Sequence, residues 1–268
     1  MGKTITLISG TLILLLFACK MPEKKDDRRP EEKFFTKQVG NISFIIPQGS
    51  LAYDNREDLI AKCLDAIKSD LQIVKIPRFT DSITIRFVSS RAEMKKYTGI
   101  PAGGVAMIQP LEIVYLLDNV KEGGPPIKHE LMHIITMSAW GNPDFTSIWM
   151  KEGIAAFAEN QCNGYNVEQI YRFFSANKML LPMDALAADF YREPEMIAYH
   201  QSAYVVQYFL ANYGVEKFKD LWMQGLSNFE KIYGVSFVRV KSEIDKTVKH
   251  DYPNAPNIVW KTFAEGCQ

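Results

Sequence analysis

An excess of either charge is missing from this sequence, in which 31 Lys and Arg residues balance 31 Asp and Glu residues. Without net charge there is no bulk field to attract nucleic acid, so a nucleic-acid partner is not expected. Cysteine is scarce: four residues are too few for a disulfide scaffold, and their spacing lacks the close pairing of a thiolate zinc module. Hydrophobic residues make up 47% of the 268 residues, which is typical of a globular protein with a packed core.

The first 18 residues have the pattern of a bacterial export signal. Lys3 supplies positive charge, residues 5–17 form an apolar run, and Leu-Phe-Ala precedes Cys19. This ending resembles a lipobox, which implies cleavage before Cys19 and attachment of diacylglycerol to its thiol. The alternatives are a transmembrane anchor or plain secretion, but the apolar run is short for a span of roughly 20 residues. We therefore expect a protein held at the membrane of the bacterial cell envelope by a lipid anchor.

A charged segment follows the leader. Twelve of the eighteen residues 20–37 are charged and two are proline, a composition that buries too little apolar surface to fold. We interpret residues 19–38 as a solvated tether and residues 39–268 as one folded domain.

The folded domain is predicted to be α+β. Alternating apolar residues predict strands at residues 41–46, 82–88, 105–108 and 111–117. Helical periodicity predicts helices at residues 55–73 and 91–97, and it dominates from residue 127 to about residue 249. The Gly-Gly-Pro-Pro turn at residues 123–126 then separates a lobe with a mixed sheet and helices, about 39–124, from a mainly helical lobe, about 125–268. A cleft between the two lobes is the natural place for an active site.

Two of the four histidines stand in a His-Glu-x-x-His run at His129 and His133. On a helix, residues four apart lie on one face, where both imidazoles can bind one Zn²⁺ ion. Glu130 stands beside the first ligand, where a carboxylate can take a proton from the attacking water and deliver it to the leaving amine. The run therefore predicts a zinc centre in which Glu130 is the general base.

A catalytic zinc needs a third protein ligand and keeps its fourth position open. Glu152, followed by Gly153, comes after His133 with eighteen residues between them. The Gly-Asn-Pro break at residues 141–143 reverses the chain, so a second helix that begins near Ser147 can direct Glu152 at the metal. We therefore predict one zinc ion held by two histidines and Glu152.

The His-Glu-x-x-His run, with Trp-x-x-Glu-Gly-x-Ala at residues 149–155, resembles the gluzincin metallopeptidases, in particular the aminopeptidase-N-like branch and its small peptidase MA-like relatives. The resemblance implies a zincin-like fold, with His129, His133 and Glu152 as ligands and Glu130 as base. It does not extend to aminopeptidase specificity, because the Gly-x-Met-Glu-Asn motif and the large N-terminal β-domain are absent.

The same resemblance implies two further functional elements. Tyr199, which opens a Tyr-His-Gln-Ser-Ala run, is similar to the tyrosine whose hydroxyl stabilises the oxyanion in these enzymes. An edge strand of the sheet binds the extended peptide in this family. The residues expected to do so here are Gly103, Gly104, Val105 and Ala106.

Two residues near these motifs are predicted to support the site. Glu159 is seven residues after Glu152 on the same helical face and can orient a ligand histidine, although a solvated carboxylate is the alternative. His200, next to Tyr199, can reach the site or simply be solvated.

For the cysteines that remain after lipidation, one pair and one free thiol is possible. The simpler interpretation is a buried Cys63 on its helical stripe, and we assign no disulfide.

Together the patterns predict a membrane-anchored zinc metallohydrolase, most simply a peptidase acting on a peptide or protein substrate. A zincin-fold lipoprotein that binds its target with little turnover is the second interpretation. A helical interaction protein with fortuitous motifs is the third. The patterns make no prediction of the oligomeric state.

Overall fold

The computed structural model describes residues 33–118 and 124–267. The predicted leader at residues 1–18, the lipidation site Cys19 and most of the tether lie outside these described residues, so they stay predictions. Among the residues that are described, no helix is long and apolar enough to cross a membrane.

Five strands form one mixed sheet. They are β1 (Phe34–Val39), β2 (Ile42–Pro47), β3 (Ile83–Val88), β4 (Gly104–Ile108) and β5 (Leu111–Leu116). Their order across the sheet is β1-β2-β3-β5-β4. The inner pairs β2/β3 and β3/β5 are parallel, whereas β1/β2 and β4/β5 are antiparallel. β4 therefore forms one edge of the sheet.

Twelve α-helices surround and follow the described sheet. They are α1 (Leu51–Asp54), α2 (Arg56–Ile73), α3 (Arg91–Thr98), α4 (Ile127–Trp140), α5 (Ile148–Glu159), α6 (Val167–Ala176), α7 (Met183–Ala188), α8 (Glu195–Tyr213), α9 (Val215–Gln224), α10 (Phe229–Tyr233), α11 (Phe237–Asp251) and α12 (Trp260–Phe263). The helices α1 to α3 come before α4 and α5, which carry the predicted metal ligands. The helices α6 to α12 follow and form a mainly helical remainder. The predicted α+β class with an N-terminal mixed sheet is confirmed.

The first strand begins inside the segment predicted as tether. β1 starts at Phe34 and pairs with β2 through a two-residue turn in which Gly40 has a φ of 60°. Phe35 packs against the main core, and its ring lies 6.0 Å from that of Tyr53. The tether prediction was therefore wrong for residues 34–38, because the charge count averaged over two phenylalanines that contribute to the fold.

The helices α4, α5 and α8 lie at the centre of the domain. α4 packs against α2, α5 and the edge strand β4, and α5 packs against α8. Most residues of α4 and α5 are buried, including Leu131, Ile135, Met150 and Ile154. A helix that is apolar on nearly every side is an interior helix. Polar side chains on α4 and α5 are therefore held inside the protein rather than solvated.

A disulfide joins the end of α5 to the C-terminal segment, which we define as residues 252–267. It links Cys162 to Cys267, and the pairing had not been assigned from the sequence. Arg172 of α6 donates hydrogen bonds to the carbonyl oxygens of Tyr252 and Pro253, at 2.8 and 3.0 Å, and so fixes the start of the segment. Cys63 is a free buried thiol, as predicted, and burial raises its pKa to about 12.

Candidate metal centre

The two histidines of the His-Glu-x-x-His run lie side by side on α4. Nε2 of His129 and Nε2 of His133 are 3.1 Å apart, and their rings meet edge to face. The N-terminus of α4 is held in place by the buried Tyr115 of β5, whose hydroxyl donates to the carbonyl oxygen of Ile127 at 2.7 Å. The sheet thereby fixes the helical turn that carries both imidazoles.

Glu152 reaches the two histidines from α5. Its Oε2 lies 3.3 Å from Nε2 of His129 and 3.3 Å from Nε2 of His133. The turn between α4 and α5 is pinned by the Trp222 indole N–H, which donates to the carbonyl oxygen of Gly141 at 2.9 Å. The turn reverses the chain between α4 and α5, and the three predicted ligands are therefore brought together.

Gly153 explains how α5 comes so close to α8. A Cβ atom at this position would lie 2.8 Å from the backbone oxygen of Ser202 and 2.9 Å from the side chain of Val206. Contacts that short do not occur for real side chains, so only glycine permits this packing. The Gly that follows Glu152 thus sets the depth at which the ligand helix packs.

The donor set fits one zinc ion. Ligands at ~2.0–2.1 Å in a tetrahedron are separated from one another by roughly 3.3 Å. The three separations among His129 Nε2, His133 Nε2 and Glu152 Oε2 are 3.1, 3.3 and 3.3 Å. Two imidazoles and one carboxylate are also the ligand types of catalytic zinc sites that keep a position open for water.

The electrostatics of the site favour a cation. Burial by itself would lower the pKa of His129, but the hydrogen bond to Glu152 and the charges of Glu130, Glu152 and Glu159 outweigh burial and raise it. Burial would likewise raise the pKa of Glu152, yet its hydrogen bonds with both histidines hold that pKa well below the usual range. Glu152 is therefore a carboxylate anion inside the protein.

Glu130 lies against the edge strand. Its side chain is buried, and a Cβ atom at Gly104 would stand 2.7 Å from Glu130 Cγ and 2.9 Å from Oε1. Gly104 therefore leaves the space that the carboxylate occupies. This contact places the predicted base directly beside the backbone of β4.

The other predicted edge-strand residues differ in what they can offer. The carbonyl oxygen of Gly103 already accepts a hydrogen bond from the amide of Leu116 at 2.9 Å. Val105 and Ala106 pair with Val114 and Ile113 of β5, and their other side is the sheet edge. The open edge of β4 therefore runs through Val105 and Ala106, while the Gly103 carbonyl belongs to the sheet.

Two tyrosines approach the metal ligands. The ring of Tyr199, on α8, lies 6.0 Å from the ring of His129, and burial together with the charge of Glu152 raises its pKa. The second is Tyr191, which sequence reasoning missed. Its hydroxyl donates to Glu152 Oε1 at 2.8 Å from a 3₁₀ turn at Phe190–Arg192. No motif in the sequence signals this residue, because the contact joins positions 39 residues apart.

Glu159 is close to the histidines without an observed hydrogen bond to them. Its charge raises the pKa of His129. Its Oε2 is buried and has no partner among the described residues, and the same is true of His133 Nδ1. A role for Glu159 in orienting a ligand histidine therefore stays a prediction.

The structure buries His200 beside the C-terminal disulfide, in a cluster separate from the three candidate ligands, so the solvated alternative is wrong. The charge of His129 still acts on His200, and a role of His200 at the site stays a prediction. His200 Nε2 lies 3.7 Å from Cys267 Sγ, and its ring lies 5.7 Å from that of Phe263. Burial lowers the pKa of His200 to about 4, which keeps the imidazole neutral.

A buried carboxyl group that the sequence did not reveal lies on α2. Asp70 is fully buried, and neither of its oxygens has a hydrogen-bond partner in the described part of the chain. Burial raises its pKa to about 8, against the opposing charges of Lys128 and His129. At neutral pH the Asp70 carboxyl group is therefore mostly protonated and uncharged.

Comparison with known families finds a match that covers the candidate site. A family model described as the Peptidase MA superfamily matches residues 89–235, more than half of the chain. The matched region contains β4, α4, α5 and α8, and with them all three candidate ligands. No curated protein matches the chain.

Proposed function

This chain belongs to the Peptidase MA superfamily, and from that membership we propose that it is a zinc-dependent peptidase of the gluzincin type. Members of the family are typically zinc-dependent. The observation that carries the proposal is the convergence of His129, His133 and Glu152 within 3.3 Å of one another. Glu130, the acid–base candidate, lies on the same helix and next to the edge strand.

The roles follow from these positions. When bound, Zn²⁺ supplies a Lewis acid that activates water and polarises the scissile carbonyl. Glu130 accepts the proton of the attacking water at its carboxylate and hands it to the leaving amine. Tyr199, next to His129, donates its hydroxyl to the developing oxyanion; its raised pKa keeps the phenol protonated for that purpose.

The substrate in this proposal is an extended peptide. It lies along the open edge of β4 at Val105 and Ala106, where backbone hydrogen bonds extend the sheet by one strand. Such pairing places the scissile carbonyl beside Gly104 and hence beside Glu130. Because backbone groups do the binding, sequence specificity has to come from side-chain contacts elsewhere in the cleft.

The Glu130→Gln variant tests the chemistry. Gln keeps the shape of the side chain but cannot accept a proton, so peptide cleavage should fall about 10²–10⁴-fold while zinc content stays at the wild-type level. Cleavage is measured by mass spectrometry on a peptide library, with metal content determined in the same sample. Glu243→Gln, at an exposed surface ion pair, is the matched control and should cleave normally.

Two outcomes would contradict the proposal. Wild-type cleavage rates in zinc-loaded Glu130→Gln protein would remove Glu130 from the mechanism. A wild-type protein that binds zinc and cleaves no peptide of the library would favour the alternative, a zincin-fold lipoprotein that acts as a binding module.

Attachment to the membrane through Cys19 is part of the same proposal. It is supported by the apolar leader and the residues that precede Cys19. Labelling of the protein with a radioactive fatty acid in bacterial cells should be lost in Cys19→Ser. Labelling that persists in this variant would contradict a lipid anchor at this position.

A further inference from the structure

The two carboxylate oxygens of Glu152 have different partners. Oε2 faces both histidines at 3.3 Å. Oε1 accepts the hydroxyl proton of Tyr191 at 2.8 Å. The carboxylate is thus held in one orientation, with a single oxygen turned toward the metal position.

Tyr191 makes this contact from an unusual position. Tyr191 as a residue is 67% exposed, although its hydroxyl bonds to a carboxylate whose side chain is only 11% exposed. The phenol therefore lies across the mouth of the site, with its ring toward solvent and its oxygen toward Glu152. An exposed tyrosine contributes little to the core, so the fold does not require its hydroxyl.

The turn that carries Tyr191 is well anchored. Phe190 is 3% exposed, and its ring packs edge to face on Tyr191 at 5.5 Å and on Tyr199 at 5.0 Å. The amide of Arg192 donates to the carbonyl oxygen of Asp189 at 3.2 Å and closes the turn. The buried phenylalanine thereby fixes the direction in which Tyr191 projects.

We propose that Tyr191 is a positioning residue that restricts Glu152 to binding the metal through one oxygen. This inference rests on the proposed function, because it assumes that the three ligands hold zinc. By donating to Oε1, Tyr191 keeps that oxygen from turning toward the metal, where it would occupy the position that water needs. Partners that hydrogen-bond to metal ligands typically change metal affinity 10–100-fold when they are removed.

The Tyr191→Phe variant tests this role, because Phe retains the ring and loses only the hydroxyl. Zinc affinity, measured by competition with a chromogenic chelator, should weaken about 10–100-fold. Cobalt substituted for zinc should show a changed visible absorption spectrum, since Oε1 becomes free to coordinate. Arg192→Ala is the matched control, because it alters the same turn at a side chain that is 86% exposed, and it should change neither property.

Each outcome decides a separate question. Unchanged zinc affinity and an unchanged cobalt spectrum in a folded Tyr191→Phe protein would overturn the positioning role and leave the proposed function standing. A lower kcat with both metal properties unchanged would likewise overturn it, because Tyr191 would then act on the substrate. A wild-type protein that binds no zinc would overturn the proposed function itself, and that result appears before any variant is made. Thermal unfolding of each variant verifies that the protein is folded.

Discussion

The described part of the domain contains two clusters of side chains whose donor atoms could bind a metal ion, and the two clusters differ in their chemistry. In the first, His129, His133 and Glu152 meet; in the second, Cys162, His200 and Cys267 meet. In both, the donor atoms lie within 4.8 Å of one another. In the second cluster the two sulfurs are joined in a disulfide, so they are not thiolate ligands. Proximity of donor atoms alone therefore does not make a metal site.

The surroundings of the two clusters explain the difference. Carboxylates around His129 raise its pKa, and a cation placed there gains from the same charges. His200 is buried beside Phe263 and the disulfide, and burial lowers its pKa to about 4. The first cluster has the charge that attracts a metal ion, whereas the second serves to fasten the C-terminal segment.

The largest effect that would separate the clusters is expected from the double variant Cys162→Ser, Cys267→Ser. The disulfide closes a loop over a sequence separation of 105 residues. Losing a crosslink of that span should lower the free energy of unfolding by about 4–5 kcal/mol in the chain-entropy description. Urea denaturation measures the loss, and zinc stoichiometry of the folded variant should equal that of the wild type. If the double variant stayed folded yet lost its zinc, the two clusters would not be independent.

A smaller loss of folding stability is expected when the pH is lowered, because of His200. Its pKa is about 4 in the folded protein, below the ordinary value of 6.5, so only the unfolded chain takes up a proton as the pH falls between these values. The contribution to stability is therefore present above pH 6.5 and is lost toward pH 4, by about 3 kcal/mol in total. In His200→Gln this part of the pH dependence should disappear. Unfolding curves of both proteins at pH 7 and pH 4 check it, and the same pH dependence in both would contradict a buried neutral His200.

Much of the fold was predictable because its elements are long or strongly patterned. Alternation identified β2 to β5, and 3.6-residue periodicity identified α2. The helix α1 has four residues, fewer than one period can reveal. β1 escaped notice because its six residues follow a dense run of charges.

In the candidate site, too, local sequence patterns predicted some features and could not predict others. The spacing of His129, Glu130 and His133 is local, and one chain reversal suffices to add Glu152, so residue patterns predicted where these side chains meet. The contact from Tyr191 to Glu152 and the burial of Asp70 depend on packing between distant segments, which no local pattern encodes. The run of residues 199–203 does not say which way each side chain faces, so it could not predict the contact of His200 with Cys267.

Zinc binding by equilibrium dialysis is the most direct test of the central claim, that two imidazoles of α4 and the Glu152 carboxylate of α5 hold one ion. The account predicts one zinc per wild-type chain with its disulfide intact, and a loss of that zinc in Glu152→Gln at the same free zinc concentration. A wild-type chain that binds no zinc, or a Glu152→Gln chain that binds it as tightly as the wild type, would contradict the account.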